Sequence, residues 1–183
     1  MRRAIKSLLL VAAIAVVWAP VQARADGYLS PWAGVNFGGN SNVHNGRAAM
    51  GLNAGFMGGG ILGAEVAFGY SPSFFGTQND FGHNTLIDLM GNLVIGIPIG
   101  GTSGAGLRPY VSGGAGLIRT QIDGNSLLGN VSSSNNDLGW DVGAGVTGYI
   151  STHFGLRADV RYYKDTNANN LNYDRLTAGI VFR

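Results

Sequence analysis

The stretch Leu138–Asp165, LGWDVGAGVTGYISTHFGLRADVRYYKD, limits what this chain can fold into more than any other. In steps of two it sorts into two faces. Trp140, Val142, Ala144, Val146 and Ile150 alternate with Asp141, Gly143, Gly145, Thr147 and Tyr149. After a short Ser151-Thr152 turn, Phe154, Leu156, Ala158, Val160 and Tyr162 alternate with Gly155, Arg157, Asp159, Arg161 and Tyr163. Successive side chains of a strand point to opposite faces, so two such runs across a tight turn predict an antiparallel hairpin.

The same period recurs through the chain. Strands are expected at Gly27–Gly38, Ala48–Met57, Ile61–Phe75, Thr85–Ile99, Leu107–Ile122, the two arms of the hairpin, and a last run carrying Leu176, Ala178, Ile180 and Phe182 on one face. The seven connections alternate long and short. The longest is the polar segment Asp123–Asp137, expected as a loop. Eight strands with this alternation form an up-and-down antiparallel sheet with both chain ends on one side. Outer-membrane barrels pair short periplasmic turns with longer extracellular loops, and their strands need roughly 9–11 residues to cross.

The N-terminus reads as a separate segment. Arg2, Arg3 and Lys6 precede an apolar run, Leu8–Val17, and Ala23-Arg24-Ala25 supplies a small-x-small cleavage site. The run is about half the roughly 20 residues a transmembrane helix needs, which favours a cleaved signal over an anchor. Residues 1–25 are therefore expected to be a signal peptide cut between Ala25 and Asp26, and 26–183 a single domain. The signal carries four of the 12 basic residues and none of the 10 acidic ones, so +2 becomes −2 on removal. The basic character belongs to the discarded part, and nucleic-acid binding loses its support. With no cysteine, disulfides and thiolate metal sites are excluded.

Composition decides which face of the sheet meets the solvent. Charged residues are 12% of the chain, against about 25% in soluble domains. A soluble lipocalin-like barrel needs a charged exterior, and here the non-apolar face is mostly Gly, Ser, Thr and Asn. No later segment is apolar enough for a membrane helix, so a spanning structure must be a closed barrel, apolar outside and polar inside. Trp32 and Phe154 at one end, with Phe74, Phe75, Trp140 and Tyr162 at the other, are expected to form its aromatic girdles.

RPYVSGGAGLI (Arg108–Ile118), EVAFGYSPSFF (Glu65–Phe75) and the Leu138–Asp165 hairpin resemble the outer-membrane β-barrel domain family, the short OmpA-like and OmpX-like porin-family proteins. The likeness runs over the whole segment after the signal. It implies residence in the outer membrane of a Gram-negative bacterium, insertion by the barrel-assembly machinery, contact with outer-membrane lipid and lipopolysaccharide, and loops open to host or surface ligands. The chain stops at Arg183, so a peptidoglycan-binding domain of the OmpA kind is not expected. Members usually end in an aromatic residue, whereas here Arg183 follows Phe182.

Motifs for chemistry are few. Gly143–Gly148 spells GxGxxG, but inside an alternating strand rather than between strand and helix, where a dinucleotide would need it. Asp123, Asn125 and Asp137 lack calcium-loop spacing and a closing Glu. His44 lies three residues from Ser41 and His83 three from Asp80, in expected extracellular loops, with His153 at a periplasmic turn. Neither spacing carries a catalytic motif, although His44 beside Asp80 would suit a rim-sited lipid-A-modifying hydrolase. No catalytic residue, cofactor or metal is assigned.

The inward charges are the informative set. Glu65, Asp88, Asp141, Arg157, Asp159, Arg161 and Arg175 share the non-apolar face, and burial of each demands a partner. Glu65 and Arg157 lie at matching depths on strands three and seven, which face each other across an eight-stranded barrel. A structural Glu65–Arg157 pair is expected, with the other five bonded around and above it. The function expected is non-enzymatic: envelope structure, with loops making surface contacts. A narrow passive pore is the alternative, since an ion path would also line a lumen with charge.

Overall fold

The computed structural model describes residues 25–39, 46–75, 83–100, 104–126, 129–166 and 171–183. Eight antiparallel strands close on themselves: β1 (Ala25–Phe37), β2 (Arg47–Gly58), β3 (Leu62–Pro72), β4 (His83–Gly96), β5 (Gly106–Ser126), β6 (Gly129–Tyr149), β7 (Phe154–Asp165) and β8 (Asn172–Phe182). Each strand pairs with its sequence neighbours, and β1 pairs with β8 from Leu29↔Phe182 to Phe37↔Asp174 to complete the ring. Closure leaves the ring no free edge.

The alternation resolves into an inverted protein. Outward residues are large, apolar and bare, with Leu93 at 66% and Ile97 at 65% exposure, while Arg175 inside is at 0%. Inward glycines leave space for large lumen side chains. A Cβ at Gly51 would sit 2.4 Å from the Trp32 ring, and one at Gly69 2.4 Å from Nη1 of Arg175. The β2–β3 turn is closed by Ile61 N–H donating to the Gly58 carbonyl at 3.1 Å, with Gly59 and Gly60 both at positive φ. Such a primed turn matches the twist of a hairpin.

Three expectations are corrected. The polar segment Asp123–Asp137 is not a loop. β5 and β6 continue through it in register, from Ile118↔Asp137 to Ser126↔Gly129. A strand shows a period of two in its sequence only where its faces meet different surroundings; this ribbon is mostly polar on both faces, so its pairing left no periodic signal. The third and fourth strands also end early. Ser73 turns the chain at φ 54 after Pro72. Past Gly96 the β4–β5 pairing thins to one bond from Ile97 N–H to the Pro109 carbonyl, which Pro109 has no N–H to return, and an isolated bridge at Ile99↔Leu107.

The third correction concerns the girdles. Trp32 and Phe74 are buried inside. Trp32 shares the parity of Ser30 and Asn36, and its indole N–H donates to Oδ1 of Asn53 at 3.0 Å. Outward ring contacts remain at Phe154–Phe182, 6.0 Å apart near the chain ends, and Trp140–Tyr162, 5.6 Å apart toward the other end.

Candidate functional site: a filled lumen

All seven charges expected inside are buried there, but in two networks rather than one. The larger centres on Glu65 of β3. From β7, Arg157 donates to both carboxylate oxygens of Glu65, and Nη2 of Arg161 donates to Oε1 at 2.6 Å. Tyr28 of β1 adds its hydroxyl at 2.7 Å. Alternation puts Arg157, Asp159 and Arg161 on one face of β7, so Asp159 sits between the two guanidiniums. It accepts from Nε of Arg157 at 3.0 Å, from Nε of Arg161 at 3.2 Å and from the Tyr110 hydroxyl at 2.7 Å. Arg161 also reaches Asp141 of β6 at 3.4 Å, and Asn92 donates to the same carboxylate at 3.3 Å.

The second network is nearer the long-connection end. Arg175 of β8 grips Asp88 of β4 with two bonds, 3.1 and 2.8 Å, and donates through Nε to Asn36 at 2.8 Å and through Nη2 to Ser71 at 3.2 Å. Three rings enclose its guanidinium: Trp32, Tyr163 and Tyr173, at 5.2, 4.9 and 5.4 Å. Beyond them Phe74, Leu86, Met90, Ile118 and Leu171 pack with the two tyrosines into an apolar stopper. At the chain-end mouth, Arg108 and Arg183 both lie over the Tyr149 ring, at 5.1 and 4.4 Å, and Arg183 pairs with Asp26 at 2.8 Å.

Little space remains. A void beside Tyr28, Tyr110, Thr147 and Arg157 measures about 10 Å³, room for about one water centre. Beside Trp32, Asn53 and Arg161 the side chains leave none. Such an arrangement braces opposite walls of the barrel.

The other sequence candidates fall elsewhere. His44, Ser41 and Asp80 lie outside the described residues. His83 opens β4 with its backbone opposite Asp123. His153 sits in an exposed turn, its Nδ1 2.8 Å from the Thr152 hydroxyl. Gly143–Gly148 lies within β6, and Asp123, Asn125 and Asp137 within the β5–β6 ladder. Sequence reasoning missed Tyr28, Tyr110, Asn36, Ser71 and Asn92 as partners. All have inward parity, but which charge each meets depends on the offset between strands.

A closed sheet with apolar residues outside and ion pairs inside defines an integral membrane β-barrel of the bacterial outer membrane. The profile of the outer membrane protein beta-barrel domain matches residues 8–183, and the chain belongs to that family. Solved structures show the same fold at low identity. Neisserial surface protein A is 18% identical with a TM-score of 0.67, covering 86% of this chain and 97% of that one. The N-terminal β-barrel domain of Pseudomonas aeruginosa OprF is 20% identical at TM-score 0.57, covering 87% and 97%. Ail, the attachment invasion locus protein of Yersinia pestis, is 13% identical at TM-score 0.60, covering 88% and 99%. No curated protein sequence matches the chain.

Proposed function

We propose that the protein is a non-enzymatic structural barrel of the outer membrane, with a sealed lumen and long connections that make surface contacts. The observation that carries this reading is the filled interior. The Glu65 and Arg175 networks tie β3 to β7 and β4 to β8 across the barrel, and an apolar stopper lies beyond them. A narrow pore would need a continuous file of water, and the 10 Å³ void is about one molecule deep. The deciding test is single-channel recording of the refolded protein in a planar bilayer. No resolved conductance steps are expected; steady ion-selective openings in the parent protein overturn the sealed reading.

In this reading the chain is exported by the segment 1–25, processed between Ala25 and Asp26, and inserted by the barrel-assembly machinery. N-terminal sequencing of outer-membrane material should read Asp-Gly-Tyr; a retained Met1 refutes the processing site. Contact with surface ligands draws support from Ail, which has been crystallised with the heparin analogue sucrose octasulfate. Lipid and lipopolysaccharide surround the wall.

A further inference from the structure

On the apolar side of the strands, charged side chains among the described residues occur at one end only. They are Arg119 on β5, Lys164 on β7 and Asp174 on β8, each two residues beyond an outward Leu117, Tyr162 or Leu176. The chain-end side has Ile97, Ile99, Leu107 and Ile150 exposed at the same depth of wall and no outward charge. Charge therefore breaks the symmetry of the belt.

Arg119 and Lys164 flank β6. Arg119 lies opposite Asn136 and Lys164 opposite Trp140, so the two cations stand two strand spacings apart across the sheet, about 10 Å, and four residues apart along it, about 13 Å. Their backbones are about 16 Å apart, a gap their two long side chains can reach into from both sides. Neither forms an ion pair with a carboxylate among the described residues. The third charge is turned away: Oδ2 of Asp174 leans over β1, 2.6 Å from where a Cβ of Gly38 would stand. Trp140 stands level with Lys164, and its ring partner Tyr162 lies two residues further into the wall. Small Gly113 and Ala115 line β5 on the same outward side.

We propose that this face of β5–β7 binds the phosphorylated headgroup of an anionic lipid between Arg119 and Lys164, its acyl chains lying on the wall below Trp140. Long basic side chains at the edge of an apolar belt lay their stems on apolar surface and hold the charge at headgroup depth. A guanidinium grips phosphate oxygens in pairs, and an ammonium supplies a second point of attraction. Aromatic rings at this depth favour the same interface. The occupant is a lipid rather than free phosphate, because the cations border a surface already clothed in acyl chains. This site rests on the reading of the chain as a membrane barrel, not on the state of its lumen, so the conductance result leaves it standing or falling on its own test.

The protein has three tryptophans: Trp18, Trp32 inside the lumen, and Trp140 on the wall. The full chain carrying Trp18→Phe and Trp32→Phe thus reports Trp140 alone. It is refolded into phosphatidylcholine vesicles holding a small fraction of brominated phosphatidic acid or, separately, of brominated phosphatidylcholine. Quenching by the anionic lipid should exceed that by the zwitterionic one. Arg119→Gln and Lys164→Gln should each lower the excess about fivefold, and high salt should erase it. Should the background fold poorly, the difference between the parent and Trp140→Phe gives the same signal. Equal quenching by the two lipids, or an excess retained in the Arg119→Gln/Lys164→Gln variant, overturns the proposal.

Discussion

Arg175 and Arg157 are guanidiniums buried in one lumen, yet they are held in different ways. Arg175 has a single carboxylate, Asp88, and a box of three rings. Arg157 shares Glu65 and Asp159 with Arg161, and two tyrosine hydroxyls join them. The first is a closed pair with no substitute for either member. The second is a mesh in which each charge has more than one partner. A closed pair should thus fail whole when one member is removed, while a mesh should redistribute.

The largest effect is expected at the closed pair. Asp88→Asn leaves a fully buried guanidinium beside neutral groups, and breaking a buried pair costs about 3–5 kcal/mol. Replacing both members, Asp88→Leu with Arg175→Met, should restore most of that loss, because it removes the stranded charge along with its partner. Urea unfolding of the refolded barrel in vesicles measures both. A double variant no better than Asp88→Asn would mean that the ring box, not the pair, holds this layer.

Glu65→Gln should cost less, about 2–3 kcal/mol, because Arg157 and Arg161 both keep Asp159. Combining it with Arg157→Gln should cost less than the two single changes summed, a coupling expected of residues in one network. The single variant should also raise conductance in planar bilayers, since the one-water void adjoins Arg157. Additive losses would show that the charges act independently and are solvated.

Packing on the lumen face gives the next step down. Gly51→Ala forces a methyl to within 2.4 Å of the Trp32 ring and 2.0 Å of the Phe68 carbonyl. Overpacking of this kind costs about 1–3 kcal/mol. Trp32 also closes the box around Arg175, so Gly51→Ala and Asp88→Asn should couple, whereas Gly51→Ala and Glu65→Gln should add. Coupling of the opposite pattern would mean that the two networks are not separate.

How much of this was legible follows from what a strand encodes. Parity gives the face, and the seven lumen charges all took the face that parity assigns. The meeting of Glu65 with Arg157 was readable because strands three and seven of eight oppose one another at any register that keeps their depths matched. Tyr110 on Asp159 and Asn36 on Arg175 were not readable, because they depend on the offset between neighbouring strands. Trp32 shows the opposite case. Its parity pointed inward, but grouping it with a girdle by residue type sent it outward, and local geometry won. His44 and Asp80, on which the alternative of a rim-sited hydrolase turned, lie outside the described residues.

The smallest effect is expected where the sequence was silent. β5 and β6 cross the membrane and then continue as a ribbon. Below, each has a second neighbour. Above, among the described residues, β5 keeps β4 as far as His83↔Asp123 and β6 keeps β7 as far as Gly139↔Asp165. The ribbon is thus joined to the barrel at its base and bonded mainly to itself. Deleting residues 124–131 and joining Asp123 to Ser132 through Asn-Gly retains the pairs from Ile118↔Asp137 to Asp123↔Ser132 and supplies a primed turn. The stability change should stay within about 0.5 kcal/mol, as for surface changes remote from a core. Heat-shifted migration on a detergent gel should persist, because ring closure lies below the cut. An unfolding midpoint lowered as far as by Gly51→Ala would show that the ribbon is packed against the barrel and shares its cooperativity.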